Sequence, residues 1–271
     1  MVLTDTIQRD AVISFPGLGG LTMNPPASFT VFGHEIYLYG VMIALGFLLG
    51  TLLCGRLAPG FGIAADDFYD LMLRVIPVSI IGARLYYVAF QAEYYLEHPA
   101  MILAVREGGL AVYGGLMAGA AATLLFCRRR RIPVLRMLDL MVFGVLLGQA
   151  LGRWGNFFNR EAFGTETGIF CRMGLTAPDG TTVYVHPTFL YESLWNLAGL
   201  AYLLARRKRR RYEGEFFLFY LFWYGLGRAW IEGLRTDSLC IGDTGIRVSQ
   251  VLSVVLCVGA VAAHCRIKRG K

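Results

Sequence analysis

Several things are missing from this sequence, and each absence closes a route. Six cysteines are scattered through the 271 residues without the spacing of a metal site. No nucleic-acid module accompanies the net charge of +7, and its basic runs lack interleaved aromatics, so no nucleic-acid partner is expected. The first 30 residues have neither a basic start nor a compact apolar stretch, so no cleavable signal peptide is expected. Neither end carries a lipid-anchor motif. No internal repeat of clear period is visible, which weighs against an inverted-repeat carrier.

What is present is apolar. Hydrophobic residues make up 56% of the chain and the mean hydropathy is +0.52, above the usual ~45–50% apolar share of soluble domains. These residues fall in blocks close to the ~20 needed to cross hydrocarbon as a helix. The fold class expected is an all-α integral membrane protein of seven transmembrane helices. The spans run Ile36–Leu53, Tyr69–Phe90, Leu110–Cys127, Leu138–Arg153, Pro187–Ala205, Phe216–Leu234 and Val248–His264. They form a single polytopic domain over residues 1–271.

Basic clusters orient it. Arg128–Arg131, Arg206–Arg211 and the tail from Arg266 follow the third, fifth and seventh spans, as cytoplasmic anchors do. An odd number of spans then puts the amino terminus outside and the carboxyl terminus in the cytoplasm. Residues 155–186 become an extracytoplasmic insertion between helices four and five, with a turn signal and a strand-like run in "TAPDGTTVYVHP". Cys54, Cys127, Cys257 and Cys265 lie in or beside apolar segments and pack as small hydrophobes. Cys171 and Cys240 fall in external loops, where a disulfide can form but is not fixed by sequence.

Four places put polar groups where hydrocarbon penalises them, at about 2.5–3.5 kcal/mol for an arginine or aspartate at a helix centre. "IGARLYY" carries Arg84, either a structural cation paired with a carboxylate or a functional one. "GRWGNFFNREAFG" supplies Arg153, Asn156, Asn159 and Glu161 at a helix end, more than snorkelling needs. Its arginine and amides suit a phosphate, which a guanidinium fork grips with two hydrogen bonds. "HPTFLYESLWN" brings His186, Tyr191, Glu192 and Asn196, with Glu192 a candidate counter-charge for an arginine. "FWYGLGRAWIEGLR" spaces Tyr224, Arg228 and Glu232 four and four along one helical stripe, so that an Arg228–Glu232 pair is expected. Three arginines converging near the outer half of a membrane, Arg84, Arg153 and Arg228, would receive an anionic lipid headgroup.

At these residues the chain resembles the prolipoprotein diacylglyceryl transferases. The resemblance rests on "GRWGNFFNREAFG", "YLYGVMIALGF", "GARLYYVAF", "GGLAVYGGLMAG", "HPTFLYE", "YGLGRAWIEGLRTD" and "RVSQVLS", in family order. It implies transfer of the diacylglyceryl group from phosphatidylglycerol to the lipobox cysteine of a preprolipoprotein, with release of glycerol 1-phosphate. It implies membrane lipids as surroundings, the bacterial inner membrane as location, and no metal or organic cofactor. Carried over by motif, Arg153, Asn156, Glu161 and Gly164 fall on the signature. Arg153 and Arg228 would hold the lipid phosphate, with Tyr39, Tyr224 and Glu232 completing the pocket. Many members have a histidine where this chain has Tyr113, in "AVYGG". A phenol of pKa ~10 is a poor resting base, so Tyr113 either orients a headgroup or is activated by nearby arginines.

Two rivals differ in kind. A lipoprotein signal peptidase needs two aspartates at the outer surface, whereas Asp66, Asp67, Asp70 and Asp139 cluster towards the cytoplasmic ends of the spans. A carrier for an anionic solute would use the same arginines, but would move its substrate without breaking a bond.

Overall fold

The structure, a computed structural model, describes residues 11–104, 108–236 and 247–269. The chain divides into two compact units. One holds the residues up to Gly50 together with those from Val142 onward, and the other is Thr51–Met141.

The first unit joins helices to a small sheet. Strands β1 (Val12–Phe15) and β2 (Leu21–Met23) form an antiparallel hairpin. β3 (Ser28–Val31) and β4 (His34–Tyr37) form a second hairpin that leads straight into helix α1 (Leu38–Leu57). Far along the chain, β5 (Met173–Thr176) and β6 (Thr182–Val185) complete a four-stranded sheet ordered β2-β1-β5-β6. The β5–β6 turn is set by Asp179, whose Oδ1 accepts from the Thr181 backbone N–H at 2.8 Å. That bond favours the carboxylate and holds it below the usual range. The strand-like run in residues 155–186 is therefore real, but its sheet also recruits residues 12–23, which carry no strand signal in the sequence.

One face of this sheet buries Ala11, Ile13, Met173, Leu175 and Val185 against Phe157 and Phe189. Those two phenylalanines belong to helices α5 (Val134–Asn159) and α6 (Thr188–Arg206). The core thus clamps the last turn of α5 to the first turn of α6, and the polar residues that follow are positioned by it. It also explains why α5 runs six residues past Arg153: Phe157 has an apolar surface to cover after the continuous apolar run ends. Within this unit α1 and α5 approach closely at glycines. A Cβ on Gly46 would lie 3.1 Å from the Gly148 Cα, and one on Gly50 would lie 2.8 Å from the Gly144 carbonyl oxygen. Helices α7 (Glu215–Glu232) and α8 (Val248–Arg269) pack on each other in the same unit.

The second unit centres on α2 (Ala65–Phe90) and α4 (Val112–Arg130), with the short α3 (Ala92–Glu97) after α2. A Cβ on Gly82 would sit 2.2 Å from that of Ala118, so only small residues allow this contact. Arg130 pairs with Asp67 at 3.3 Å and Asp70 at 2.9 Å. Two of the aspartates that a peptidase would need are thus engaged in exposed ion pairs.

Each of the seven expected spans overlaps a helix of at least 18 residues among the described residues, although the first begins inside β4 and the sixth runs past the end of α7. Among the described residues, four helical stretches are long and apolar enough to cross a membrane: Leu38–Phe61, Ala65–Phe90, Val134–Asn159 and Val248–Arg269. The chain is thus mostly helical and has the character of a multi-pass membrane protein. Cys171 carries a free thiol; Cys240 lies outside the described residues.

Candidate functional site

The site grows from the helix ends that the sheet core fixes. α5 delivers Arg153 and Asn156 one turn apart, with Arg153 donating to the Asn156 amide oxygen at 3.4 Å. Beyond the helix end, Asn156 donates to Glu161 Oε1 at 2.9 Å. The polar stretch that stands out in the sequence is a hydrogen-bonded chain from guanidinium to amide to carboxylate. Tyr39 lies over Gly155, where an added Cβ would meet its ring at 2.6 Å.

α6 places Glu192 at the centre. Its carboxylate accepts from Arg153 Nε at 2.8 Å, and lies 3.5 Å from an Arg228 nitrogen and 3.6 Å from an Arg235 nitrogen. Arg228 also pairs with Glu232 on its own helix at 2.6 Å, as their spacing of four predicts. Glu192 and Glu232 are buried, with side chains 9% and 4% exposed, while Arg153 keeps 26% of its surface open. Among the described residues, three guanidiniums thus meet the two carboxylates Glu192 and Glu232 directly.

A rigid frame surrounds this cluster. Trp195 on α6 and Trp223 on α7 stack with ring centroids 4.2 Å apart. Each indole N–H donates to the other's backbone carbonyl, at 3.0 and 2.9 Å. Ser193 donates to the Ala150 carbonyl at 3.0 Å and accepts from Trp154 at 3.3 Å, joining α6 to α5. Tyr224 stacks on Tyr220, which accepts from Gln149 at 2.9 Å. Between these groups lies a cavity of about 20 Å³, lined by Arg153, Glu192, Tyr224 and Arg228 among others. It holds about one water-sized group.

Gly164 ties the signature to the next elements. Its N–H donates to the His186 carbonyl at 2.9 Å, and a Cβ there would fall 2.7 Å from that of His186 and 2.9 Å from the Leu234 carbonyl oxygen. His186 reaches the Tyr191 hydroxyl at 3.3 Å. Its imidazole also meets the Tyr191 ring edge-on, with centroids 6.1 Å apart.

The structure thus gathers Arg153, Asn156, Glu161, Glu192, Arg228 and Glu232 into one network, with Tyr224 on the cavity wall. Arg84 and Tyr113 belong to the other unit. Arg84 is buried, and its partners are the backbone carbonyls of Met101, Ile102, Ala104, Gly108 and Gly109, where sequence anticipated either a carboxylate or a lipid. Tyr113 stands on the first turn of α4, 63% exposed.

Sequence reasoning passed over Arg235, which directly follows the expected sixth span ending at Leu234. Helical spacing gave no signal for it: α7 ends at Glu232, and Arg235 is brought to Glu192 beyond the helix end, where it forms an isolated β-bridge with Gly164. The Arg235 side chain is only 11% exposed.

Comparison with known proteins agrees with this geometry. A family model described as "Prolipoprotein diacylglyceryl transferase" matches residues 26–266. A phosphatidylglycerol–prolipoprotein diacylglyceryl transferase of Bacillus cereus is 46% identical over 230 residues, covering 82% of this chain and 84% of its own. The proteins of that name from Bacillus thuringiensis and Bacillus anthracis match at the same identity and coverage. With the helical architecture and the arginine–glutamate cluster built on the signature residues, the chain belongs to the prolipoprotein diacylglyceryl transferase family.

Proposed function

We propose that this enzyme transfers the diacylglyceryl group of phosphatidylglycerol to the lipobox cysteine thiol of a preprolipoprotein, in the bacterial inner membrane. The chain crosses that membrane seven times with its amino terminus outside. Residues 155–186 then lie on the outer side, together with the cluster around Glu192.

The observation that carries this reading is the gathering of Arg153, Arg228 and Arg235 on one buried carboxylate. A phosphodiester headgroup carries one negative charge and two free oxygens, which guanidinium forks can grip. As the cysteine thiolate attacks the glyceryl carbon, the C–S bond forms and the C–O bond to phosphorus breaks. The electron pair leaves on the phosphate oxygen of glycerol 1-phosphate, whose charge grows from one towards two. Guanidiniums already held in place stabilise that growing charge without reorganising, and such preorganised stabilisation usually lowers a barrier more than any other single effect.

Arg153 and Arg228 are the primary phosphate ligands, and Arg235 adds a third donor. Glu192 and Glu232 orient them. Asn156 and Glu161 fix Arg153 from its other side, and Gly164 lets residues 162–166 pack against residues 186 and 234. Tyr39 and Tyr224 wall the headgroup region, and His186 steadies Tyr191. The thiol, with a free pKa near 8.5, loses its proton before attack. Tyr113 serves to orient substrate by its hydroxyl.

A gel-shift assay with purified protein, phosphatidylglycerol and a lipobox peptide tests the proposal. Wild type is expected to shift the peptide, and Arg153→Ala to lose at least about a hundredfold in rate. An unmodified peptide, with both substrates demonstrably bound, would end the transferase reading.

A further inference from the structure

Arg84 lies in α2, 6% exposed, and takes no part in the chemistry above. We propose that it is a positioning residue for the same reaction. It fastens residues 101–104 and 108–109 so that the first turn of α4 presents Tyr113 correctly. This inference rests on the transferase reading and on a substrate-orienting role for Tyr113.

A guanidinium has five N–H donors, and all five are committed. Nε donates to Ile102 at 3.0 Å. One terminal nitrogen donates to Gly108 at 2.7 Å and Gly109 at 3.0 Å. The other donates to Met101 at 2.6 Å and Ala104 at 3.5 Å. Every acceptor is a backbone carbonyl. Among the described residues no carboxylate pairs with Arg84, and the Tyr95 ring lies 5.2 Å from the guanidinium carbon. No donor is left for a lipid phosphate. Buried carbonyls that lose their donor are costly in turn. Arginine and carbonyls therefore order each other.

These carbonyls lead directly to the site residue. Ala111 donates its N–H to the Ala83 carbonyl at 3.0 Å, beside Arg84, and α4 begins at Val112. Tyr113 is the second residue of that helix and is exposed, so its direction is set by where the backbone starts and not by packing of its own ring. Gly109 makes the seat possible. Its φ is +72°, and a Cβ there would lie 2.4 Å from an Arg84 nitrogen and 2.8 Å from the Tyr87 ring. Lysine at position 84 would keep the charge but lacks the planar fork that spans five acceptors.

The experiment uses the full-length protein in phosphatidylglycerol-containing nanodiscs. Wild type, Arg84→Lys, Gly109→Ala, Tyr113→Phe and Arg84→Lys/Tyr113→Phe are compared by lipidation kinetics and amide hydrogen exchange. Arg84→Lys is expected to lower kcat at least tenfold, with KM for phosphatidylglycerol within about threefold, since a displacement near 1 Å can cost a hundredfold. Amides of residues 101–104 and 108–111 should exchange faster while those of α7 stay as in wild type. Gly109→Ala keeps the arginine and should reproduce both effects, which protects the test if the lysine variant folds poorly. The double variant should be no slower than its slower parent.

A raised KM with normal exchange would make Arg84 a lipid ligand and overturn the proposal. So would faster exchange with unchanged kcat, losses that multiply in the double variant, or a Tyr113→Phe enzyme of wild-type rate. If wild type itself transfers no lipid, it is the transferase reading that fails, and the exchange data then stand apart from it.

Discussion

Removing one charge at the centre of the site should have a lipid-dependent effect on stability. Glu192→Gln leaves Arg153, Arg228 and Arg235 facing an amide in place of a carboxylate. One negative charge is lost from the point where the three arginines meet, and Glu232 is left paired with Arg228. Breaking a buried pair by removing one partner costs about 3–5 kcal/mol. For a protein of this size about 1 kcal/mol moves Tm by ~2–4 °C, so a loss near 3 kcal/mol predicts a fall of roughly 6–12 °C. The measurement is thermal unfolding in nanodiscs of phosphatidylcholine alone and of phosphatidylcholine with phosphatidylglycerol. A lipid bound at about a hundred times its Kd returns ~2.7 kcal/mol, and its phosphate offers the arginines the charge that the glutamine lacks. The variant should therefore regain several degrees more from phosphatidylglycerol than wild type does. A Tm within about 1 °C of wild type would refute the carboxylate as the hub of the arginines. A fall of equal size in both lipids would refute the phosphate as its substitute.

Two glycines give independent checks. Gly164→Ala forces a Cβ to within 2.7 Å of that of His186 and 2.9 Å of a backbone oxygen; with little room to yield, overpacking of about 1–3 kcal/mol is expected, along with slower lipidation in the gel-shift assay. Gly227→Ala would put a methyl 2.3 Å from Trp195 Nε1. It should open the paired tryptophans, read as a change in intrinsic fluorescence and a lower Tm with the α5 end of the site intact.

The helices were legible because hydrocarbon imposes a length and a polarity that short windows of sequence reveal. The Arg228–Glu232 pair was legible for the same local reason, a spacing of four. Glu192 was recognisable as a counter-charge, but its three partners lie on α5, α7 and the turn after α7. Such convergence belongs to the fold, and no local pattern encodes it. The carbonyl cage of Arg84 had no signature at all, since any residue can supply a carbonyl. Strands of three or four residues, such as β1 and β2, are too short to show an alternating pattern. Arg160 escaped notice similarly. It is 2% exposed, with a φ of +52°, and donates to Ala11, Asn24, Pro25 and Phe158. Those acceptors are mostly backbone groups from a distant part of the chain.

The sheet has a consequence for the order of events during synthesis. Val12 in β1 is registered against Thr176 in β5, 164 residues later (176 − 12). At about 5–20 residues per second, roughly 8–33 s separate the emergence of the two strands. Four long helices, α1, α2, α4 and α5, are made in that interval. The β1–β2 hairpin can close at once, but its inner edge waits for a partner that does not yet exist. The core that fixes Phe157 and Phe189, and with them Arg153 and Glu192, is completed only when that partner arrives. Activity should therefore switch on late and all at once in a nascent chain, after most of the membrane insertion is over.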